Sequence, residues 1–390
     1  MKPWITTFWI FLLGIASCST QPDATQSSLG DTPGGRAGGQ CSNGILDPRE
    51  QANPDLCPQD ANAQVAVTSP VEDIPPLYFF YVIHVHIANS DTAPYTDQSL
   101  TQLNGGQAEN MLAAIEGIAE VLDRHGARGT WQVVYGTSKG LCAYQGQDHI
   151  FRNLSEGGHE IAIHVHNQED IQPAFLNLQN ACAITPDDIS GFLVTVANVN
   201  PGLAQQIYSE DIRLSADLGM TVSTGNLSPA DTKNPFGSLC DNQIGIDNDM
   251  WLQTGNLLFP WMPDYQHGNI CSHDPQGDFV MLDHVSINWL MTGQIDMPDV
   301  LGSQQFDYLQ QYLDGALDYM ETYRPTRIAA WGFVTHIIEY AVGGQAENPP
   351  DPAALAALDS FLDYVDSRVA EGRIVYATAS EIAEAAFPDR

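Results

Sequence analysis

Two pairs of histidines stand at the ends of two apolar segments of the sequence. His84 and His86 end a long apolar run, and His164 and His166 end a shorter one. Residues two apart on a β-strand point to the same side of the sheet, so each pair presents two imidazoles together. Neutral imidazole nitrogens bind divalent metals such as zinc. The spacing predicts a metal site at the carboxyl ends of parallel strands, where α/β proteins bind their ligands.

Hydrolysis assisted by a metal also needs a side chain that moves a proton near the attacking water. His336 is our first candidate because it stands at the end of a late predicted strand. Asp283 and its neighbour His284 come next, but alternation along a strand allows only one of them to face the site. The alternative for each histidine is a solvated or internally hydrogen-bonded residue with no ligand.

The overall composition excludes some classes of partner. The chain has 390 residues, of which 43% are hydrophobic, so it can form a sizeable core. It carries 48 acidic and 14 basic residues, which gives a formal net charge of −34. Such a charge argues against binding to nucleic acid and against electrostatic binding to anionic lipid.

The first residues are typical of a targeting segment. Lys2 is followed by an apolar run that is too short to span a membrane comfortably, and the run ends in a stretch that resembles a bacterial lipobox, residues 15–18. We therefore predict a lipoprotein signal peptide over residues 1–18, with Cys18 lipidated and anchored to the cell envelope, most simply the outer membrane. Membrane contact would be through this lipid anchor only. The alternative is an ordinary secretory signal that is cleaved near Ser17.

Export places the remaining six cysteines in an oxidising compartment, where disulfides form. The simplest pairing joins them in sequence order: Cys41–Cys57, Cys142–Cys182 and Cys240–Cys271. A structural zinc site is a weaker interpretation because no Cys-x-x-Cys spacing occurs. Residues 19–75 are rich in Gln, Ser, Gly, Pro, Asp and Asn, which predicts a flexible, unstructured tether that carries the small Cys41–Cys57 loop.

Residues 76–390 alternate between patterns typical of strands and of helices. The predicted strands are 77–87, 130–135, 160–166, 220–224, 279–285, 328–334 and 374–377, and the predicted helices are 109–125, 150–156, 186–199, 203–218, 306–323, 352–371 and 380–386. This alternation favours an α/β fold with a parallel sheet, closed or nearly closed into a (β/α) barrel. A doubly wound open sheet is the alternative. No Gly-x-Gly-x-x-Gly motif occurs where a dinucleotide-binding protein would carry it.

Three stretches together resemble the polysaccharide deacetylase (NodB-type) superfamily. Residues 158–164 read Gly-His-Glu-Ile-Ala-Ile-His and are similar to the family's Gly-His-Glu-Ile-x-x-His. Residues 125–133 resemble its second strand, and residues 371–382 resemble its last strand and helix. The resemblance implies a distorted (β/α)7 barrel of the glycoside hydrolase/deacetylase type, with a divalent metal at its mouth and a carbohydrate or glycan substrate.

The sequence departs from the family at several positions. The first strand ends in His84-Val85-His86 where the family has Asp-Asp, and the family's Arg-x-Pro-Tyr is absent after the fourth strand. His164 matches the first histidine of His-Ser-x-x-His, but Gln168 stands in the place of the second. His336 stands in the place of the family's Leu-x-His histidine. A His-x-His on the first strand is also similar to related barrels among family 57 and family 38 glycoside hydrolases.

We therefore expect an exported, metal-dependent carbohydrate deacetylase. The expected metal is zinc, bound by His164 and His166 with His86 as third ligand, and His84 as a fourth ligand or as support. The proton would be moved by one of the candidates above. Two alternatives stay open from the sequence, namely a non-catalytic barrel that binds glycan or acts as a scaffold at the cell surface, and a glycoside hydrolase.

Overall fold

The computed structural model describes residues 74–85, 105–165, 168–186, 188–190, 201–225, 257–286, 301–345 and 348–390. The predicted signal peptide with Cys18, the tether, the Cys41–Cys57 loop, His86 and His166 lie outside these residues.

Strands and helices alternate along the described chain. The strands are β1 (Leu77–Val85), β2 (Gly129–Val134), β3 (Glu160–His164), β4 (Asp188–Ser190), β5 (Val222–Gly225), β6 (Pro263–Asp264), β7 (Asn269–His273), β8 (Val280–Asp283), β9 (Val285–Ser286), β10 (Ala330–His336) and β11 (Ile374–Tyr376). The helices are α1 (Gly105–Arg124), α2 (Tyr135–Gln145), α3 (Ile150–Glu156), α4 (Ile171–Ala181), α5 (Pro201–Asp217), α6 (Ser303–Tyr323), α7 (Pro352–Ala370) and α8 (Ala379–Ala386).

The main sheet closes on itself. Its strands pair in parallel in the order β8-β5-β4-β3-β2-β1-β10-β9. The two ends of this order, β8 and β9, are consecutive in the chain and are separated only by His284. Counted as one bent strand, they join β5 to β10 and complete a seven-stranded parallel barrel among the described residues. The predicted (β/α)7 barrel is therefore confirmed, and the open sheet is excluded.

The interior of the barrel is apolar, and α8 covers the end of the barrel at which the strands begin. Phe80 and Val82 of β1 point inward, and their neighbours on the strand point outward to the helices, as strand alternation requires. Gly332 lies opposite Phe80, and a Cβ at this position would come within 2.5 Å of the Phe80 ring. Glycine therefore leaves the space that the ring fills. Ile382 of α8 belongs to the same interior cluster.

Strand register brings three histidines to the carboxyl end of the barrel. Strands β1 and β10 pair along seven residues, and the last pair is His84 with His336. Strands β2 and β3 end with the pair Val134 and His164. Because the strands are parallel, these side chains emerge at the same rim.

Two parts of the architecture differ from the prediction. Asp188–Ser190 forms β4, whereas the predicted helix 186–199 included these residues. Ile189 pairs with Ile163 on one side and with Ser223 on the other. The ladder between β3 and β5 needs this strand, so distant pairing overrides the local helical signal. Helices α2 and α4 were not predicted, and their segments contain glycine or proline in the first turn.

A disulfide fixes two of the outer helices to each other. Cys142 in α2 bonds to Cys182 at the end of α4, with a Cα–Cα distance of 5.6 Å, which confirms this predicted pair. Cys271 is also disulfide-bonded, and Cys240, its predicted partner, lies outside the described residues. Among the helices described, none combines the length and the apolar character that crossing a bilayer would require.

Candidate functional site

Four buried or partly buried histidines meet at the carboxyl end of the barrel, and we call them the mouth cluster: His84, His164, His284 and His336. The rings of His84 and His164 are stacked, with 3.9 Å between their centroids. The ring of His84 lies edge-on to His336 at 4.9 Å and to His284 at 6.5 Å. His84 is therefore the centre of the cluster. All four were candidates from the sequence, His84 and His164 as metal ligands and His336 and His284 for proton transfer.

The fourth member, His284, occupies the break between β8 and β9. Strand alternation places it on the same side as Leu282, which belongs to the apolar barrel interior. Burial lowers the pKa of His284 to about 3, so its imidazole is neutral at ordinary pH. Its buried Nδ1 atom has no hydrogen-bond partner among the described residues. A neutral imidazole with an unpaired nitrogen is the form that binds a metal or accepts a proton.

Asp283 has a different environment from His284. Its Oδ2 atom accepts a hydrogen bond of 2.7 Å from the backbone N–H of Leu257. It shares a side of the strand with Met281, which packs in the outer core under the helices. Its proposed role in proton transfer stays a prediction. Of the two neighbours, His284 lies on the side of the strand that faces the barrel interior.

His336 is held from behind by a carboxylate. Its Nδ1 atom lies 3.2 Å from Oε1 of Glu339, and its backbone N–H donates to Oε2 of the same side chain at 3.0 Å. Its Nε2 atom lies 3.2 Å from Nδ1 of His84. The side chain of Glu339 is 1% exposed and that of His336 is 17% exposed. The sequence analysis missed Glu339, although its position three residues after a strand-end histidine, as in a capping box, could have indicated it.

A second buried polar group lies beside the cluster inside the barrel. Gln132, the register partner of His84, donates from Nε2 to Oδ2 of Asp188 at 2.9 Å and also to Oγ1 of Thr224. All three residues are buried. The small side chain of Ala162, on the strand between β2 and β4, leaves room for this contact. The sequence analysis did not identify these residues, because only the barrel brings the three strands together.

Gln168, at the position of the family's second histidine, has another partner. Its side chain hydrogen-bonds to Asp211 of α5, whose pKa burial raises to about 7 despite this bond. Gln168 therefore holds a buried carboxyl group of the neighbouring helix.

The mouth cluster offers imidazole nitrogens, which are donors that bind divalent metals such as zinc. Two nitrogens bound to one tetrahedral zinc lie roughly 3.3 Å apart, and Nδ1 of His84 and Nε2 of His336 are 3.2 Å apart. Lone pairs lie in the ring planes, so the nearly parallel rings of His84 and His164 cannot both point at one ion until one ring turns. His86 and His166, the other two predicted ligands, lie outside the described residues.

Two groups among the described residues bring three ligand atoms within 4.8 Å of one another, and the mouth cluster is not one of them. One contains His149 with Cys142 and Cys182, whose sulfurs are used in the disulfide. The other, on the outer helices, is His125 with Asp363 and Asp366. Neither group is at the barrel mouth.

Comparison with protein-family models gave no match, and comparison with curated proteins gave none. Comparison with solved structures gave partial superpositions. A Pseudomonas aeruginosa protein named as a polysaccharide deacetylase is 14% identical, with a TM-score of 0.49 over 80% of this chain and 92% of the other. The Puue allantoinase is 13% identical, with a TM-score of 0.48 over 79% and 89%. A Mycobacterium smegmatis protein, also named as a polysaccharide deacetylase, is 15% identical, with a TM-score of 0.46 over 81% and 92%. At this level of similarity, the fold assignment rests on the strand pairing described above.

Proposed function

We propose that this chain is an exported, metal-dependent hydrolase that removes acyl groups, acetyl in the first place, from carbohydrate. The observation that carries the proposal is the convergence of His84, His164, His284 and His336 at the carboxyl end of a closed parallel barrel. This end of a (β/α) barrel is where catalytic residues occur. The Gly-His-Glu-Ile-Ala-Ile-His stretch that delivers His164 supports the choice of deacetylation.

The residues that would hold the metal are His164 together with His86 and His166, and His84 lies directly against His164. A divalent metal bound there would polarise the acyl carbonyl and lower the pKa of a water molecule. Zinc suits a site composed of imidazoles. Metal binding requires neutral imidazoles, and burial keeps the nearby His284 in this form by lowering its pKa to about 3.

His336 is the residue that we propose for proton transfer. It is the partly exposed member of the mouth cluster, so water and substrate can reach it. In its neutral form, His336 would accept a proton from the attacking water and return it to the sugar oxygen as the acyl–oxygen bond breaks. The products are a carboxylic acid and a free hydroxyl group. Glu339 supports the histidine from the opposite side, in the way that a carboxylate orients a catalytic base.

The test compares wild-type protein with His164→Ala and with His267→Ala as a matched control. His267 lies outside the mouth cluster, and its side chain is 80% exposed. We expect the wild type and the control to bind zinc, to melt at a higher temperature with zinc than without it, and to release acetate from acetylated glycans. His164→Ala should lose all three properties. A wild type that binds no metal, and whose melting temperature ignores zinc, would exclude the site.

A non-catalytic glycan-binding protein is the second candidate function. It is favoured by His84, which stands where a carboxylate would serve as base in the family that the sequence resembles. Bound zinc without hydrolysis of any acetylated glycan, combined with measurable glycan binding, would select this candidate.

We also propose that Cys18 carries a lipid that anchors the mature protein to the bacterial envelope. The apolar run and the lipobox-like residues 15–18 support this proposal. Cys18→Ala should release the protein from the membrane fraction or block its maturation. A variant that fractionates like the wild type would contradict it.

A further inference from the structure

His284 is a polar residue at a strand position where the pattern of the barrel interior is apolar. Val280 and Leu282 lie on the same side of the strand, and both belong to the apolar interior. His284 continues this row, is 3% exposed, and has no partner for its Nδ1 atom among the described residues. A buried polar atom without a partner destabilises a fold, and an apolar side chain would avoid this loss. The hydrogen bonds of the described fold therefore give no reason for an imidazole here.

The neighbours of His284 are the other histidines of the mouth cluster. Its ring lies edge-on to His84, with 6.5 Å between the centroids. Burial has the largest effect in lowering the pKa of His284, and the charge of the nearby His336 adds to it. The backbone is fixed on both sides, because the N–H of His284 donates to the carbonyl of Gly225 at 3.2 Å and Val285 pairs with β10. The fold thus holds an unpaired imidazole nitrogen beside imidazoles from other strands.

We propose that His284 is a ligand of the metal at the barrel mouth and that it binds through Nδ1. A buried, unpaired imidazole nitrogen is a donor that an ion can use, and ion binding explains why a fold keeps such a group. The predicted ligands His84 and His164 are buried in the same way, at 8% and 6% exposed. Proton transfer to water or substrate suits the partly exposed His336 better. His284 has this role only if the proposed function holds, because the proposal rests on a metal at the mouth.

The ligands have to come together when the metal binds. No three ligand atoms of the mouth cluster lie within 4.8 Å of one another, so at least one ring has to turn. Turning the ring of His336 would break its contacts with Glu339 and His84. Turning the ring of His284 breaks no hydrogen bond of its Nδ1 with a described residue. His284 can therefore reorient toward an ion without a loss that the metal would have to offset.

The experiment compares two buried histidines that differ in whether Nδ1 has a partner. His284→Leu replaces the imidazole with an apolar side chain of similar volume. The control is His159→Leu, the same change at the opposite end of the barrel, where His159 is 5% exposed and its Nδ1 accepts from the N–H of Gly129 at 3.0 Å. The full-length proteins are freed of metal with a chelator and titrated with zinc in competition with a chromophoric chelator. Urea midpoints are recorded without metal.

We expect opposite results for the two variants. Loss of a group that only supports a metal ligand weakens metal binding about 10–100-fold, so loss of a ligand in His284→Leu should weaken zinc binding by at least about 100-fold. Its metal-free urea midpoint should equal or exceed that of the wild type, because no partner of Nδ1 in the described structure is left unpaired. His159→Leu should have a lower metal-free midpoint, because the N–H of Gly129 loses its acceptor, and the zinc affinity of the wild type.

A direct measurement uses ¹⁵N NMR of protein with labelled histidine. In the wild type, one Nδ1 resonance should shift when zinc is added, and this resonance should be absent from the spectrum of His284→Leu and present in that of His159→Leu. His284→Gln, which keeps a polar side chain, replaces His284→Leu in both measurements if the leucine variant does not fold.

Zinc binding by folded His284→Leu within a few fold of the wild type would overturn the inference and leave the proposed metal site standing. This outcome would assign an ordered water to Nδ1. A wild type that binds no zinc would reject the proposed function and the inference together. Neither measurement needs turnover, so a failure of acetate release with the expected zinc affinities would reject the proposed activity and leave His284 as a ligand.

Discussion

The two ends of the barrel carry polar side chains of different kinds. At the amino end, Thr130 and Ser380 donate from their hydroxyl groups to the carboxylate of Glu160, and the backbone N–H of Ala379 donates to Thr130 at 3.1 Å. We call these residues the floor network: Thr130, Glu160, Ala379 and Ser380. It joins α8 to β2 and β3. At the carboxyl end, the mouth cluster places imidazoles against one another.

The two groups differ in how their hydrogen-bonding capacity is used. In the floor network each contact joins a donor to an acceptor, and a hydroxyl or an amide does not titrate at ordinary pH. In the mouth cluster, the main contacts are between groups that can each donate or accept, and the buried Nδ1 of His284 has no partner in the described part of the chain. A buried group whose hydrogen-bonding capacity is not satisfied lowers the stability of the fold. Such groups are retained at sites that bind ligands or transfer protons. We therefore expect changes at the mouth to alter activity, and changes at the floor to alter stability.

The largest expected effect is at the mouth. His336→Ala should lower the rate of acetate release by about 10²–10⁴-fold, because it removes the group that moves the proton. Its urea midpoint should fall modestly, because the buried carboxylate of Glu339 loses one of its partners. Steady-state kinetics and urea unfolding of the same preparation give both values. A rate within a few fold of the wild type would contradict the assignment of activity to the mouth cluster.

The disulfide is the strongest purely structural link that we can remove. Cys142 and Cys182 are 40 residues apart in the sequence. The loop-entropy relation gives about 4 kcal/mol for closing a loop of this length. The double variant Cys142→Ser, Cys182→Ser should lose about 2–5 kcal/mol of unfolding free energy, measured by urea denaturation. The rate per folded molecule should stay unchanged, and a proportional loss of rate would show that the link also shapes the mouth.

At the floor we expect a moderate effect on stability alone. Thr130→Val keeps the shape of the side chain but removes the hydroxyl that serves Glu160 and Ala379. The buried N–H of Ala379 would lose its acceptor, which costs about 1–3 kcal/mol. Urea denaturation measures the loss, and acetate release should keep its kcat and KM. A change in KM without a change in stability would reverse the assignment of the two ends.

The smallest effects concern pH, at two histidines near the floor. Burial lowers the pKa of His159, whose Nδ1 accepts from the N–H of Gly129. The unfolded state therefore binds the proton first, so the contribution of His159 is present above the unfolded pKa, about 6.5, and is lost as the pH falls through the folded pKa. For His125, burial lowers the pKa, but hydrogen bonds to Asp366 and Asp359 outweigh it and raise the pKa. Its contribution is present below the unfolded pKa and is lost as the pH rises through the folded pKa.

Urea midpoints between pH 4 and pH 9 separate these two effects. His159→Gln should flatten the loss of stability on the acid side, and His125→Gln should lower stability mainly on the acid side. Identical pH profiles for the two variants would contradict the assigned directions. Acetate release per folded molecule at pH 8 should be the same in both, because neither side chain belongs to the mouth cluster.

The sequence by itself determined the parts of this protein that depend on local pattern. Continuous apolar runs predicted β1, β3 and β10, and the helix Ile150–Glu156 was predicted with its observed bounds. The His-x-His spacing indicated a group of imidazoles at strand ends, and two of these histidines, His84 and His164, lie together at the mouth. Sequence order and the exported context indicated the Cys142–Cys182 pair. These signals are readable because they lie within one element, or within one short stretch of chain.

The tertiary structure decided the features that depend on distant partners. Asp188–Ser190 became a strand because β3 and β5 offer ladders on both sides, which its local sequence does not indicate. The position of His284 in the mouth cluster depended on the phase of a strand that pairs with β5 at one end and with β10 at the other. Glu339 reached His336 through a turn that is fixed by contacts with other elements. Strand phase and side-chain contact are set by closure of the whole barrel, so no single stretch of sequence contains them.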